Sequence, residues 1–132
     1  MKRRAFLATV AAATLAPMVA MADDFVTYTD GIIEAALAEG KTVFVDYSAT
    51  WCSTCHRQAR VINAIRAADP AYDKAMIFVK VDWDDFGRKD VAVSRNIPRR
   101  STLIVLRGDD ELGRIVAGTG ESQIKALMDV GL

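Results

Sequence analysis

A short run of apolar, β-branched and aromatic residues, Thr42-Val43-Phe44-Val45-Asp46-Tyr47, leads almost directly into Trp51-Cys52-Ser53-Thr54-Cys55-His56. The run predicts a buried strand. Beyond the motif, Ala59, Ile62, Ile65 and Arg66 recur at helical spacing until Asp69-Pro70 closes the segment. The two cysteines are thereby fixed at a strand-to-helix junction. With a helix beginning at Cys52, Cys55 lies about one turn on and on the same face, so the two sulfurs can reach bonding distance with little backbone movement. Cys52 is expected to be exposed, beside the unpaired N–H groups and positive end of the helix, where a thiolate is favoured. Cys55, a turn deeper, is expected to be shielded and to resolve a mixed disulfide. So short a loop returns little folding stability. Chemistry, rather than stapling, is the reason for such a pair.

The other segments extend this unit into a sheet. Asp30 is a candidate helix N-cap before Ile32, Ile33, Ala36 and Leu37, and Gly40 ends that helix. Met76-Ile77-Phe78-Val79-Lys80-Val81 predicts a second strand, and residues 90–95 a short helix. Thr102-Leu103-Ile104-Val105-Leu106 predicts a third strand, turned by Gly108-Asp109-Asp110 into a fourth near Arg114-Ile115-Val116. Ile124, Leu127 and Met128 form one stripe of a last helix. The early strand–helix–strand unit requires a parallel pair and the late hairpin an antiparallel one. The expected fold is α/β, with a central mixed sheet flanked by helices.

The N-terminus reads as an address. Lys2, Arg3 and Arg4 precede an alanine-rich apolar run, Pro17 interrupts it, and Ala20-Met21-Ala22 offers a small-residue cleavage site. Residues 1–22 are therefore expected to be a signal peptide, with Arg3-Arg4-Ala5-Phe6-Leu7 resembling a twin-arginine signal. Residues 23–132 form one expected domain, placed in a bacterial periplasm where disulfides persist. An uncleaved anchor is the alternative, although the run falls short of the ~20 residues a span needs. The chain carries 17 basic and 17 acidic residues, and loss of Lys2, Arg3 and Arg4 leaves 14 against 17. With no positive excess and no basic run, a nucleic-acid surface is not expected. An apolar content of 52% is enough for a core.

The segment from Val43 to Cys55 resembles the active-site segment of thioredoxins: apolar strand, Asp, aromatic, Ala, then Trp-Cys-x-x-Cys. The leading helix, Ala49-Thr50-Trp51 and Val81-Asp82-Trp83-Asp84 are most similar to the periplasmic thioredoxin-like domain of the transmembrane reductase DsbD and its soluble relatives. The resemblance implies a monomeric thioredoxin fold and dithiol–disulfide exchange with protein disulfide substrates. It also implies a membrane-embedded thiol reductase as electron donor, and no cofactor. Asp46 matches the family's buried Asp behind the cysteines and Lys80 its nearby Lys. Such a carboxylate can take the Cys55 proton as the mixed disulfide resolves; the plainer reading is a strand-end Asp facing solvent. Trp51 either shapes the surface that receives the partner or packs on the sheet. Ser53 and Thr54 replace the Gly-Pro of many thioredoxins, and their hydroxyls either donate to a thiolate or cap the helix.

One departure stands out. The family carries a cis-Pro immediately before the third strand's Thr, where it aligns the partner's backbone and keeps metals off the thiolates. Here Ser101 holds that place before Thr102. A cis bond ahead of a non-proline residue costs about 3–4 kcal/mol, so a trans bond or a reshaped loop is expected. Ser101 and Thr102 join Trp51 as candidate substrate-binding residues. Arg99 and Arg100 bring positive charge to a thiolate or simply sit in solvent.

Two other readings use the same cysteines. Cys52-Ser53-Thr54-Cys55-His56 fits the Cys-x-x-Cys-His pattern of c-type haem attachment, with Met76 or Met128 as a second axial ligand. A metal or iron–sulfur carrier also suits two thiolates and His56, the single histidine. A closed site of that kind requires ligands from a second chain.

Overall fold

The computed structural model describes residues 25–132; the expected signal peptide lies outside the described residues. Five strands form one sheet: β1 (Val26–Thr27), β2 (Thr42–Ser48), β3 (Met76–Asp82), β4 (Thr102–Arg107) and β5 (Asp110–Val116). Their spatial order is β1-β3-β2-β4-β5. The β1/β3 and β3/β2 pairs are parallel, and the β2/β4 and β4/β5 pairs antiparallel. This is the mixed α/β sheet expected from the strand–helix–strand unit and the late hairpin.

Six helices complete the described fold: α1 (Ile32–Ala38), α2 (Ser53–Ala68), α3 (Ala71–Ala75), α4 (Trp83–Phe86), α5 (Asp90–Val93) and α6 (Glu121–Asp129). The Asp30 cap is a correction. The residue before α1 is Gly31, at φ 84°, and no side chain caps that end. The other end is as expected. Gly40, at φ 79°, donates to the Leu37 carbonyl while Lys41 donates to that of Ala36. That paired closure needs a residue in the left-handed region, which glycine enters without a Cβ clash. α2 stops at Asp69, whose extended backbone (φ −143°) obeys the restriction Pro70 places on it. β1, α3 and α4 had no signal of their own. They are too short for a hydrophobic period to register.

Strand alternation divides the core into two layers. Val43, Val45 and Tyr47 of β2 face the layer containing Ile33 of α1 and Val91 of α5. Phe44 faces the opposite layer, with Ile62 and Ile65 of α2 and Ile124, Leu127 and Met128 of α6. Asp46 stands two residues beyond Phe44 and so shares the α2 side. On β3, Met76 and Phe78 belong to that same layer, which puts Lys80 there too. The register sets Lys80 directly beside Asp46. Arg66 of α2 is buried over the Phe78 ring at 4.2 Å, with its Nε 2.6 Å from Asp73. No helix among the described residues is long and apolar enough to cross a membrane.

Candidate active site

Cys52 is the N-cap of α2, with extended backbone (φ −90°, ψ 110°), and Cys55 lies in the first turn. Their Cα atoms are 5.3 Å apart and their sulfurs are joined as a disulfide. The Cys55 backbone N–H donates to Cys52 Sγ at 3.1 Å. A sulfur thus occupies the cap position where a side-chain oxygen usually satisfies an otherwise unpaired helix N–H. The expected exposure of Cys52 needs correction: in the disulfide it is only 3% exposed, and Cys55 is fully buried. Ala49 and Trp83 pack against the pair and shield it.

Asp46 does not face solvent. It is fully buried, and neither carboxylate oxygen has a hydrogen-bond partner. Burial disfavours its charge and pushes its pKa up to about 7, against the opposing pull of Lys80. Lys80 itself is half-buried, with Nζ 4.6 Å from the centroid of the Phe25 ring. It borders a groove of about 560 Å³ that also touches Ala49 and the exposed His56. The carboxyl therefore has a charged neighbour on a solvent-reaching surface.

Trp51 is 58% exposed, which removes the reading that it packs on the sheet. Its indole N–H donates to both oxygens of Asp84, at 3.2 and 2.9 Å, and the Arg100 guanidinium stacks over its ring at 4.4 Å. Arg100 is thus occupied by an aromatic face rather than free in solvent. Arg99 Nε donates to the Arg100 carbonyl. Thr102 is buried, and its hydroxyl donates to the Arg99 carbonyl at 2.7 Å, closing the turn in front of β4.

The hydroxyl that reaches the sulfurs belongs to Ser101. Its Oγ lies 3.2 Å from Cys52 Sγ and 3.1 Å from Cys55 Sγ. Among the described residues, Ser53 and Thr54 make no such contact; Ser53 is exposed and Thr54 half-buried. No peptide bond of the described residues is cis, and Ser101 instead adopts φ 65°. A left-handed conformation costs an L-residue roughly 1–2 kcal/mol. The loop is held in it from three directions. The Ser101 N–H donates to the Tyr47 carbonyl at 2.7 Å, and its carbonyl accepts from the Ala117 N–H and from the side-chain amide of Gln58, both at 2.9 Å. Of the two outcomes expected here, a trans bond or a reshaped loop, the trans bond is what the chain adopts.

Gln58 carries no motif, yet it ties this site together. It is fully buried on α2, one turn after Cys55, and its amide also donates to the Gly118 carbonyl at 2.9 Å. Its sequence signal is indirect. Gln58 stands on the stripe that continues through Ile62 and Ile65, and a buried amide requires partners.

The disulfide and the two filled core layers do not suit a haem reached through Cys52 and Cys55, because the sulfurs face each other beneath Ala49 and Trp83. No group of three or more His, Cys, Asp or Glu among the described residues is placed to hold a metal ion.

Comparison with known proteins points the same way. A family model described as Thioredoxin-like matches residues 24–102. The chain is 34% identical over 96 residues to a thioredoxin of Echinococcus granulosus, covering 73% of this chain and 83% of that one. To Thioredoxin-1 of Saccharomyces cerevisiae it is 33% identical over 92 residues, 70% of this chain and 82% of that one. Among solved structures, Trxlp of Edwardsiella tarda superimposes with a TM-score of 0.64 at 29% identity, covering 79% of this chain and 98% of that one. The thioredoxin of Schistosoma mansoni does so with a TM-score of 0.63 at 26% identity, over 83% and 97%.

Proposed function

The chain belongs to the thioredoxin-like family, and from that premise we propose that it is an exported reductase of protein disulfides, working in a bacterial periplasm. Thiol–disulfide exchange at Cys52 and Cys55 is the shared chemistry. The observation that carries the reading is the pair's placement: Cys52 caps α2 and accepts the Cys55 N–H, while Cys55 lies fully buried behind it. The Cys52 thiolate attacks a partner disulfide and forms a mixed disulfide. Cys55 then attacks the Cys52 sulfur, and the partner leaves as its dithiol once its second sulfur gains a proton.

Resolution requires Cys55 to lose a proton. Asp46, on the α2 side of the sheet and with a pKa near 7, is suited to accept it at working pH. Lys80 would steady the resulting carboxylate and, lining the groove, pass the proton to solvent. The exposed Trp51 and the half-buried Arg99 and Arg100 form the rim that meets the partner; Ser101 and Thr102, expected to bind substrate, are fully buried and shape that rim from beneath. The reductive direction is favoured by the Asp46–Lys80 pairing, which resembles the reductive branch of the family. A monomer supplied with electrons by a membrane-embedded thiol reductase completes the proposal.

The test is a trap. Cys55→Ser should accumulate a mixed disulfide through Cys52 with its natural partner, and Cys52→Ser should not. Trapping by both variants, or by neither, contradicts the assigned roles. A reduction potential near −120 mV, rather than towards −270 mV, would reverse the direction.

A further inference from the structure

The geometry points to Ser101 as a catalytic residue whose hydroxyl selectively stabilises the reduced state of the Cys52–Cys55 pair. Its Oγ stands within 3.2 Å of both sulfurs, 49 and 46 residues away in sequence. In the disulfide neither sulfur carries a proton, so the hydroxyl is the donor and has one proton for two weak, neutral acceptors. Reduction changes that balance. A dithiol donor breaks the S–S bond with two electrons and itself closes to a disulfide. Of its two protons, one goes to Cys55 and the other to solvent, leaving a thiolate on Cys52. The Ser101 O–H then donates to a charged sulfur, a bond roughly twice as strong as a neutral one. Its free lone pairs accept the Cys55 S–H. The reduced state thus has two good hydrogen bonds where the oxidised state has one shared and weak.

The backbone supports this assignment. A residue held at φ 65° persists only where its surroundings over-determine it, and here Tyr47, Ala117 and Gln58 fix both the N–H and the carbonyl of Ser101. Side chain and main chain are therefore locked together, and the hydroxyl does not swing away when the sulfurs separate. At Cys52 this donor joins the Cys55 N–H, so the thiolate has one donor from the helix start and one from a loop across the site.

The inference rests on exchange at Cys52 and Cys55 but not on its direction. It is tested on the full chain with two variants, Ser101→Ala and Ser101→Gly. Both remove the hydroxyl, and only the second also relieves the left-handed backbone. The readouts are the pH titration of Cys52 by thiolate absorbance and the equilibrium of the pair with glutathione. A hydrogen bond to a charged group corresponds to about tenfold or more in an equilibrium constant. Each variant should therefore raise the Cys52 pKa by about one unit and shift the glutathione equilibrium about tenfold towards the disulfide, ~30 mV more negative for two electrons. If both variants stay within twofold of the parent, the proposal is wrong. A shift in only one of them assigns the effect to backbone strain and also overturns it. Should Ser101→Ala not fold, the Cys52 titration of Ser101→Gly decides, because relief of backbone strain at residue 101 does not by itself change how tightly the Cys52 sulfur holds its proton. An acid dissociation constant within twofold of the parent's then overturns the proposal, and one about tenfold lower supports it. Partner trapping by Cys55→Ser reports on the reductase reading separately, since it leaves Ser101 in place.

Discussion

Replacing Asp46 by Asn should make the protein more stable at pH 8 and change its pH dependence. The carboxyl is fully buried and unpartnered, with a folded pKa of about 7 against 3.8 for the free group. Because the folded value is raised, the folded state binds the proton more tightly than the unfolded chain. The stability gained from that binding is complete below about pH 4 and is lost as pH rises through about 7. The difference between about 7 and 3.8 corresponds to about 4 kcal/mol at most. Asn carries no ionisable proton, so this pH-dependent loss disappears. Urea unfolding of the oxidised protein at pH 4, 6 and 8 measures it. The parent should lose stability, by up to about 4 kcal/mol, between pH 4 and 8, and Asp46→Asn should lose far less. Parallel pH profiles for the two proteins would refute both the burial of an unpaired carboxyl and its availability as a proton acceptor near neutrality. The same variant should slow mixed-disulfide resolution while leaving the first attack by Cys52 intact.

Two further substitutions probe the site's surroundings. Gln58→Leu removes donors to the Ser101 and Gly118 carbonyls and should destabilise the fold by about 1–3 kcal/mol in chemical unfolding; no loss would mean that the loop holds its shape without α2. Trp51→Ala should change stability by less than about 1 kcal/mol, because the ring is largely exposed. It should slow exchange with protein disulfides severalfold while exchange with glutathione stays near the parent rate, as stopped-flow kinetics would show. Equal slowing with both would place Trp51 in the chemistry rather than on the partner's surface.

Local pattern fixed much of this protein in advance. The apolar run at 42–47, the Cys-x-x-Cys and the helical spacing after it specify a strand, a cap and a helix through interactions only a few residues long. Burial and backbone hydrogen bonding leave such a string few other arrangements. The hairpin at Gly108 and the stripe at Ile124, Leu127 and Met128 are legible for the same reason. Tertiary structure decided what these elements bring together. Asp46 is buried and lies beside Lys80 because two strands pair in one register, and a shift of one residue would have put it on the other face. Ser101 reaches the sulfurs only because β4 lies antiparallel to β2 and Gln58 pins the loop before it. Those contacts join residues more than thirty positions apart, and no spacing or propensity within a local window encodes them.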